Sequence, residues 1–482
     1  MDSSRFVHRR KPDIPVIGPR APDKKQHIQE VSVKSIELSK VIRLLEDPLT
    51  VNLKERHLFV LKKLLKRSQI GFLLKELTGI AKILNICAEK VTDHPEYQPI
   101  FCEALDICRL PFLKEKSSDE LNYAQDVIEF LSHMGCLMRV SDAEVRQHIV
   151  ESVKSFYSSV APKLLPDGTE GLTKTKPRTF HSDNRFSRLA LRLQPTSPGY
   201  RLQLLERSDL AQTLLLSMAA LENQPGIKLL LLQTLQILSS SSVNMNCASI
   251  LQAGGAETIC LHMNQPDPNG QVLFRSSEIL WNLLERGSTE VTAQLSSMEC
   301  VISLKEAFLH QLINGFRHSD LQLRNDLLVI TTLIAGNPNS LLIESLFAKQ
   351  LVVFATFPEL KSHNPLVSNL KLSYNNEDLK MKKMLLNLLV LMSKDLAALQ
   401  LYKEERVLLA LLMLVRPPAA SPERRSASRK WSSAQQEEVQ LQALATLCSL
   451  APIMLEDYMS CQGNAVLLLL LDWCVAQGED AM

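Results

Sequence analysis

Apolar residues recur at helical spacing along most of this chain, and five leucine-rich segments close on the same short pattern. Set in one register, TLQILS, EILWNLL, VITTLI, NLLVLM and ALATLC place Leu235, Leu280, Ile330, Leu388 and Leu444 at equivalent positions, each followed three residues later by another aliphatic. The intervals between them are 45, 50, 58 and 56 residues. Apolar residues three and four apart share one face of a helix, and a self-similar unit of roughly 40–47 residues is the period of armadillo and HEAT repeats. One such unit cannot cover its own apolar face, so units stack, and intervals above that length predict loops of variable size. The expected fold is all-α, an armadillo/HEAT-like helical solenoid. Its core is expected to hold the five register residues together with Trp281, the aromatic inside the second motif.

Breaks in the pattern divide the chain. Residues 1–30 carry Pro12, Pro15, Pro19 and Pro22 among basic residues with little periodicity, which predicts a disordered tail. A helical block is expected over 31–160 and armadillo-like repeats over 204–482. Between them, residues 161–203 hold Pro162, Pro166, Gly168, Gly171, Pro177, Pro195, Pro198 and Gly199 and read as a flexible insertion. A second irregular loop spans 416–434. Inside the repeats, Gly254 and Gly255 suit the positive φ that closes a helix, and the PDPNG turn at 266–270 precedes the helix containing Trp281.

Composition supports the all-α reading. Leucine makes up roughly 18% of the chain, while Gly is only 16 residues and aromatics 5%. Lys plus Arg is 54 and Asp plus Glu 52, so a net charge of +2 gives no overall attraction to nucleic acid or an anionic membrane. The ten cysteines form no C-x-x-C pair, and most sit in helical apolar patterns as small hydrophobes. The first thirty residues lack a signal-peptide core, and the longest apolar run, Val407 to Val415, is too short for a bilayer span of about twenty residues. These features predict a soluble, reduced, cytoplasmic protein without membrane insertion.

No phosphate-binding loop, dinucleotide fingerprint, zinc-protease or EF-hand motif occurs, and the eleven histidines are dispersed in sequence. The reading therefore assigns no catalytic residue, no cofactor, no metal ligand and no small-molecule substrate. Two basic segments stand out. KERHLFVLKKLLKR at 54–67 sets Leu58, Leu61, Leu64 and Leu65 on one face against six basic residues, which suits an outer solenoid helix more than a membrane-surface or calmodulin-type one. The loop at 416–434 carries Arg424, Arg425, Arg429 and Lys430 as a candidate partner-binding patch, with Ser421 and Ser428 as candidate phosphorylation sites that would offset its charge. The plain alternative for this loop is a solvated connection. Trp281-Asn282 invites comparison with the Trp and Asn ladders of armadillo import receptors, but the other four motifs do not repeat the Trp.

Longer strings carry a family resemblance: LNYAQD at 121–126, FRSSEILWNLLE at 274–285, LRNDLLVITTLIA at 323–335, FATF at 354–357 and YMSCQGNA at 458–465. Across most of residues 36–465 the chain resembles the cilia- and flagella-associated protein 69 family of armadillo-type axonemal proteins. Members of that family continue well beyond the point where this sequence stops, so a short or truncated form is expected. The 161–203 segment is also longer and more basic than the family's. The resemblance implies a non-enzymatic scaffold of the central-pair apparatus, needed for sperm flagellum assembly, stability and motility and affecting the olfactory cilium response. It implies other central-apparatus proteins as partners, with tubulin met only indirectly. The competing reading is a soluble armadillo-type adaptor that captures linear peptides.

Overall fold

A computed structural model describes residues 38–157, 193–240, 245–267, 269–337, 340–360, 364–368, 370, 372–417 and 431–479. The described residues are almost entirely helical and stack in two rows. We label the helices of one row α1 (Lys54–Arg67), α2 (Gln98–Cys108), α3 (Ala143–Ser155), α4 (Pro225–Ser239), α5 (Gln271–Gln294), α6 (His318–Ala335), α7 (Asn376–Met392) and α8 (Ser433–Leu450). Each packs on the next in chain order, α1 to α8. The second row, which includes Leu77–Lys90, Ala124–Cys136, Leu210–Leu216, Met298–Asn314, Phe347–Thr356 and Val407–Val415, runs alongside and closes the other side of the core. The architecture is an armadillo-like helical solenoid.

Stacking shows in how neighbouring residues part company. Cys300 and Leu304 pack toward the preceding repeat and Val301 and Phe308 toward the following one; on α6, Leu327 and Ile330 face backward and Leu328 forward. A helix in the middle of a stack is apolar on two sides because it has two neighbours to cover. Local signals set the ends. Asp142, Asn375 and Ser432 accept hydrogen bonds from the first-turn amides of α3, α7 and α8, which satisfies donors that a helix N-terminus leaves open. Gly254 and Gly270 adopt φ of +71° and +66° immediately before helices. Asp267 in the PDPNG turn accepts from the amides of Asn269, Gln271 and Val272.

Leu235, Leu280, Ile330 and Leu388 are buried. Leu444 is only half-buried at the edge of the core, and Ala443 and Leu447 occupy the interior of α8 instead. Trp281 does not belong to the core: it is 37% exposed. Ile279, Leu280 and Leu283 already fill the buried side of α5, and the 100° step of a helix turns position 281 outward.

Parts of the two segments expected to be irregular are ordered. Residues 1–30, 161–192 and 418–430 lie outside the described residues, and with them Ser421, Arg424, Arg425, Ser428, Arg429 and Lys430. Residues 193–203, however, are ordered. Strand β2 (Gln194–Pro195) pairs antiparallel with β1 (Leu113–Lys114), and the Thr196 amide donates to the Phe112 carbonyl at 2.8 Å. Arg201 donates to the carbonyls of Cys108 and Leu110 at 3.1 and 2.7 Å and stacks on Phe112 and Phe156. This closes the open carbonyl end of α2 with a cation, so the chain after the insertion is built into the core of the chain before it. At the second loop, Trp431 is buried edge-on against Tyr374, with ring centroids 4.8 Å apart, and α8 begins at Ser433.

Candidate binding surface

Polar side chains bridge successive helices of the α1–α8 row. Between α2 and α3, Gln98 donates to Glu144, His148 Nδ1 sits 2.9 Å from Asp106, and Arg109 pairs with Glu151 at 2.6 Å. Lys154 of α3 reaches Gln233 of α4 at 3.2 Å. On α5, Arg275 donates to Gln236 at 2.5 Å and Asn282 to the Ser239 hydroxyl at 2.9 Å. Between α7 and α8, Lys383 meets Glu438 at 2.9 Å and Gln435 donates to Asn376 at 3.0 Å.

The α6–α7 junction is the most deeply buried of these contacts. Arg324 pairs with Asp378 at 3.0 Å and donates to the Glu377 carbonyl at 3.1 Å, while the Asn325 amide donates to that carbonyl and to the Glu377 carboxylate. Burial pulls the Arg324 pKa below its ordinary value, and Asp378 opposes that shift. Asp378 also accepts the backbone amides of Ser373 and Tyr374 at 2.7 and 2.9 Å, fixing the approach to α7.

A groove of about 900 Å³ crosses α5, α6, α7 and α8 beside this junction. Phe274, Val329 and Met384 give it apolar patches, and Glu278, Asp326, Glu377, Glu438, Lys380 and Lys383 give it charge. The two lysines are engaged by Glu377 and Glu438 at 2.8 and 2.9 Å, which leaves the excess negative charge on Glu278 and Asp326. Burial raises the Asp326 carboxyl to about 6, with Glu278 and then Glu377 adding repulsion. For Glu377, burial works upward, but hydrogen bonds from Lys380 and Asn325 outweigh it and the net shift is downward. The groove can therefore receive an extended segment bearing cationic side chains, which would neutralise two crowded carboxylates.

The candidate contacts expected from sequence fall on other segments, 54–67 and 416–434. The apolar stripe of the basic 54–67 segment packs into the solenoid, with Leu61, Leu64 and Leu65 buried and Leu58 partly so, while Phe59 on another side of α1 stays exposed. Among the described residues, no helix is long and apolar enough to cross a bilayer. The groove residues were missed because they come from four helices more than 150 residues apart at the extremes. The available hint was local: Arg324-Asn325-Asp326 is a polar triplet set directly before the apolar run Leu327–Ile330.

Stacked helical units, cross-helix polar bridges and a groove spanning four units define an armadillo-type repeat protein. The family model for the armadillo repeat of cilia- and flagella-associated protein 69 matches residues 36–482. The human protein of that name is 43% identical over 465 residues, covering 96% of this chain and 46% of its own length. The marmoset (Callithrix jacchus) and mouse proteins are 43% and 41% identical, covering 92% and 96% of this chain. The chain belongs to the cilia- and flagella-associated protein 69 family, and it spans about half the length of the curated relatives it matches.

Proposed function

We propose that this chain is a non-enzymatic scaffold of the ciliary and flagellar axoneme, working within the central-pair apparatus. Its contribution would be to the assembly, stability and motility of the sperm flagellum, with a parallel role in olfactory cilia. Other central-apparatus proteins are its partners, and tubulin is met only through them. The carrying observation is the stack itself: among the described residues one buried cluster runs from Leu38 to Ile334 and a second from Val301 to Val466, and the helices Met298–Asn314 and α6 contribute side chains to both. Such a shape holds proteins in fixed relation because each repeat is braced by its neighbours. Family membership supplies the ciliary setting, and the acidic groove across α5–α8 is the natural contact for a basic segment of a neighbouring protein.

The same groove favours a second reading, a soluble adaptor that captures linear peptides. Asn282 and Asn325 weigh against it, since both amides are spent on contacts between helices. The test is expression of the tagged chain in ciliated cells lacking their own copy, followed by detergent extraction. Retention in axonemes supports the scaffold, and the triple variant Glu278→Lys, Asp326→Lys, Glu438→Lys should then be released. Complete release of the folded wild-type chain overturns the scaffold reading for these 482 residues. Equal retention of the triple variant removes the groove as the contact.

A further inference from the structure

Helices α2 and α3 bring together three groups that no sequence motif joins. Cys102 lies on α2, Glu144 and His148 lie four residues apart on α3, and one ligand atom from each falls within 4.8 Å of the others. Cys102 is 7% exposed, His148 is half-buried and Glu144 stands at the rim. Four-residue spacing puts Glu144 and His148 one above the other on the helix face that meets α2.

Two neighbouring side chains orient this set. Asp106, one turn after Cys102 on α2, has an oxygen 2.9 Å from His148 Nδ1. Gln98, one turn before Cys102, donates to a Glu144 oxygen at 2.6 Å. A carboxylate held on one imidazole nitrogen is the arrangement that orients a histidine for a metal at its other nitrogen, here Nε2. Arg109 in turn holds Asp106 at 3.2 Å, so the orienting carboxylate is itself fixed.

We propose that Cys102, Glu144 and His148 form a zinc site that clamps α2 to α3. A thiolate, an imidazole and a carboxylate suit zinc, whereas magnesium and calcium take oxygen ligands. A tetrahedral centre spaces its ligand atoms roughly 3–4 Å apart, so side-chain rotations of about 1 Å complete three corners, and water from the exposed rim supplies the fourth. Binding releases the Cys102 thiol proton to solvent and changes no oxidation state.

The full chain, purified with zinc and dialysed, is expected to retain one zinc per molecule by elemental mass spectrometry. Cobalt substituted for zinc should give tetrahedral visible absorption and a near-ultraviolet sulfur-to-cobalt band. Cys102→Ser should abolish that band, and Asp106→Asn, which leaves all three ligands in place, should weaken cobalt binding about 10–100-fold. Circular dichroism checks that each variant is folded. If Cys102→Ser does not fold, Glu144→Gln at the exposed rim carries the test through its loss of cobalt affinity. Absence of stoichiometric metal in the wild-type chain, persistence of the sulfur band in folded Cys102→Ser, or unchanged affinity in Glu144→Gln would each overturn the site.

Discussion

Arg324 on α6 sets its Nη1 3.0 Å from Oδ1 of Asp378 on α7, and both side chains are only 2% exposed. Two charges so far from water are tolerable only as a pair, because desolvation of either alone costs more than the interior returns. The pair joins two consecutive repeats beside the groove floor, so it fixes how α7 is placed against α6.

Breaking that pair should therefore be costly. Arg324→Ala or Asp378→Ala is expected to lower stability by roughly 3–5 kcal/mol, since each strands a buried charge. Removing both with apolar residues should cost clearly less than the sum of the singles. Denaturant titration of the two singles and the double checks this, and strict additivity would show that the two groups act independently.

Asp326 gives a pH dependence of the opposite sign to an ordinary paired carboxylate. Burial holds its folded pKa near 6, above the ordinary aspartate value of 3.8, so between these limits the folded chain binds the proton that the unfolded chain has lost. Stability from this group is therefore lost as pH rises from about 4 to about 6 and stays low above that range. Because the side chain is partly solvated, the effect is on the order of 1 kcal/mol rather than the full shift. Asp326→Asn should be more stable than wild type at neutral pH and equal to it at pH near 4, as read by urea unfolding at both values.

Adjacent residues on α5 should respond very differently to truncation. Leu280 is fully buried, and Leu280→Ala is expected to cost roughly 2–5 kcal/mol through lost transfer energy and a cavity. Trp281 stands partly in solvent, where truncation leaves no enclosed cavity, so Trp281→Ala should cost less than Leu280→Ala despite removing more atoms. Thermal melts of the two variants settle the ranking, and equal losses would mean that Trp281 is buried in solution.

Gly135 marks a close approach between Ala124–Cys136 and Leu210–Leu216, on opposite sides of the insertion. A Cβ there would overlap the hydroxyl and Cβ of Thr213. Gly135→Ala is expected to destabilise by about 1–3 kcal/mol as overpacking, although alanine is otherwise the better helix former. Thr213→Ala in the same chain should recover part of the loss. A neutral or stabilising Gly135→Ala would mean that the two helices pack less closely.

Much of this protein was decided along the chain. Helical periodicity, the recurring leucine segments and the PDPNG turn are local properties that sit where the one-dimensional pattern places them, and the caps at Asp142, Asn375 and Ser432, seen in the structure, are equally local because each bonds an amide three residues on. The long strings at 274–285 and 323–335 likewise carried the family without any coordinates. The first three helices of the row, α1 to α3, lack the leucine motif and became members of it only through packing.

What the tertiary structure alone decided are relations between distant residues. Trp281 faces out because Leu280 and Leu283 already occupy the buried side of its helix. Residues 193–203, rich in turn formers, are ordered because Arg201 found the carbonyl end of α2 more than 90 residues earlier. Glu278 and Asp326 share a groove, and Cys102 meets His148, only once stacking has set neighbouring helices side by side. Periodicity reports which face of a helix is apolar; it carries no information on which polar face that helix's neighbour will present, because that choice is made by the packing of the two.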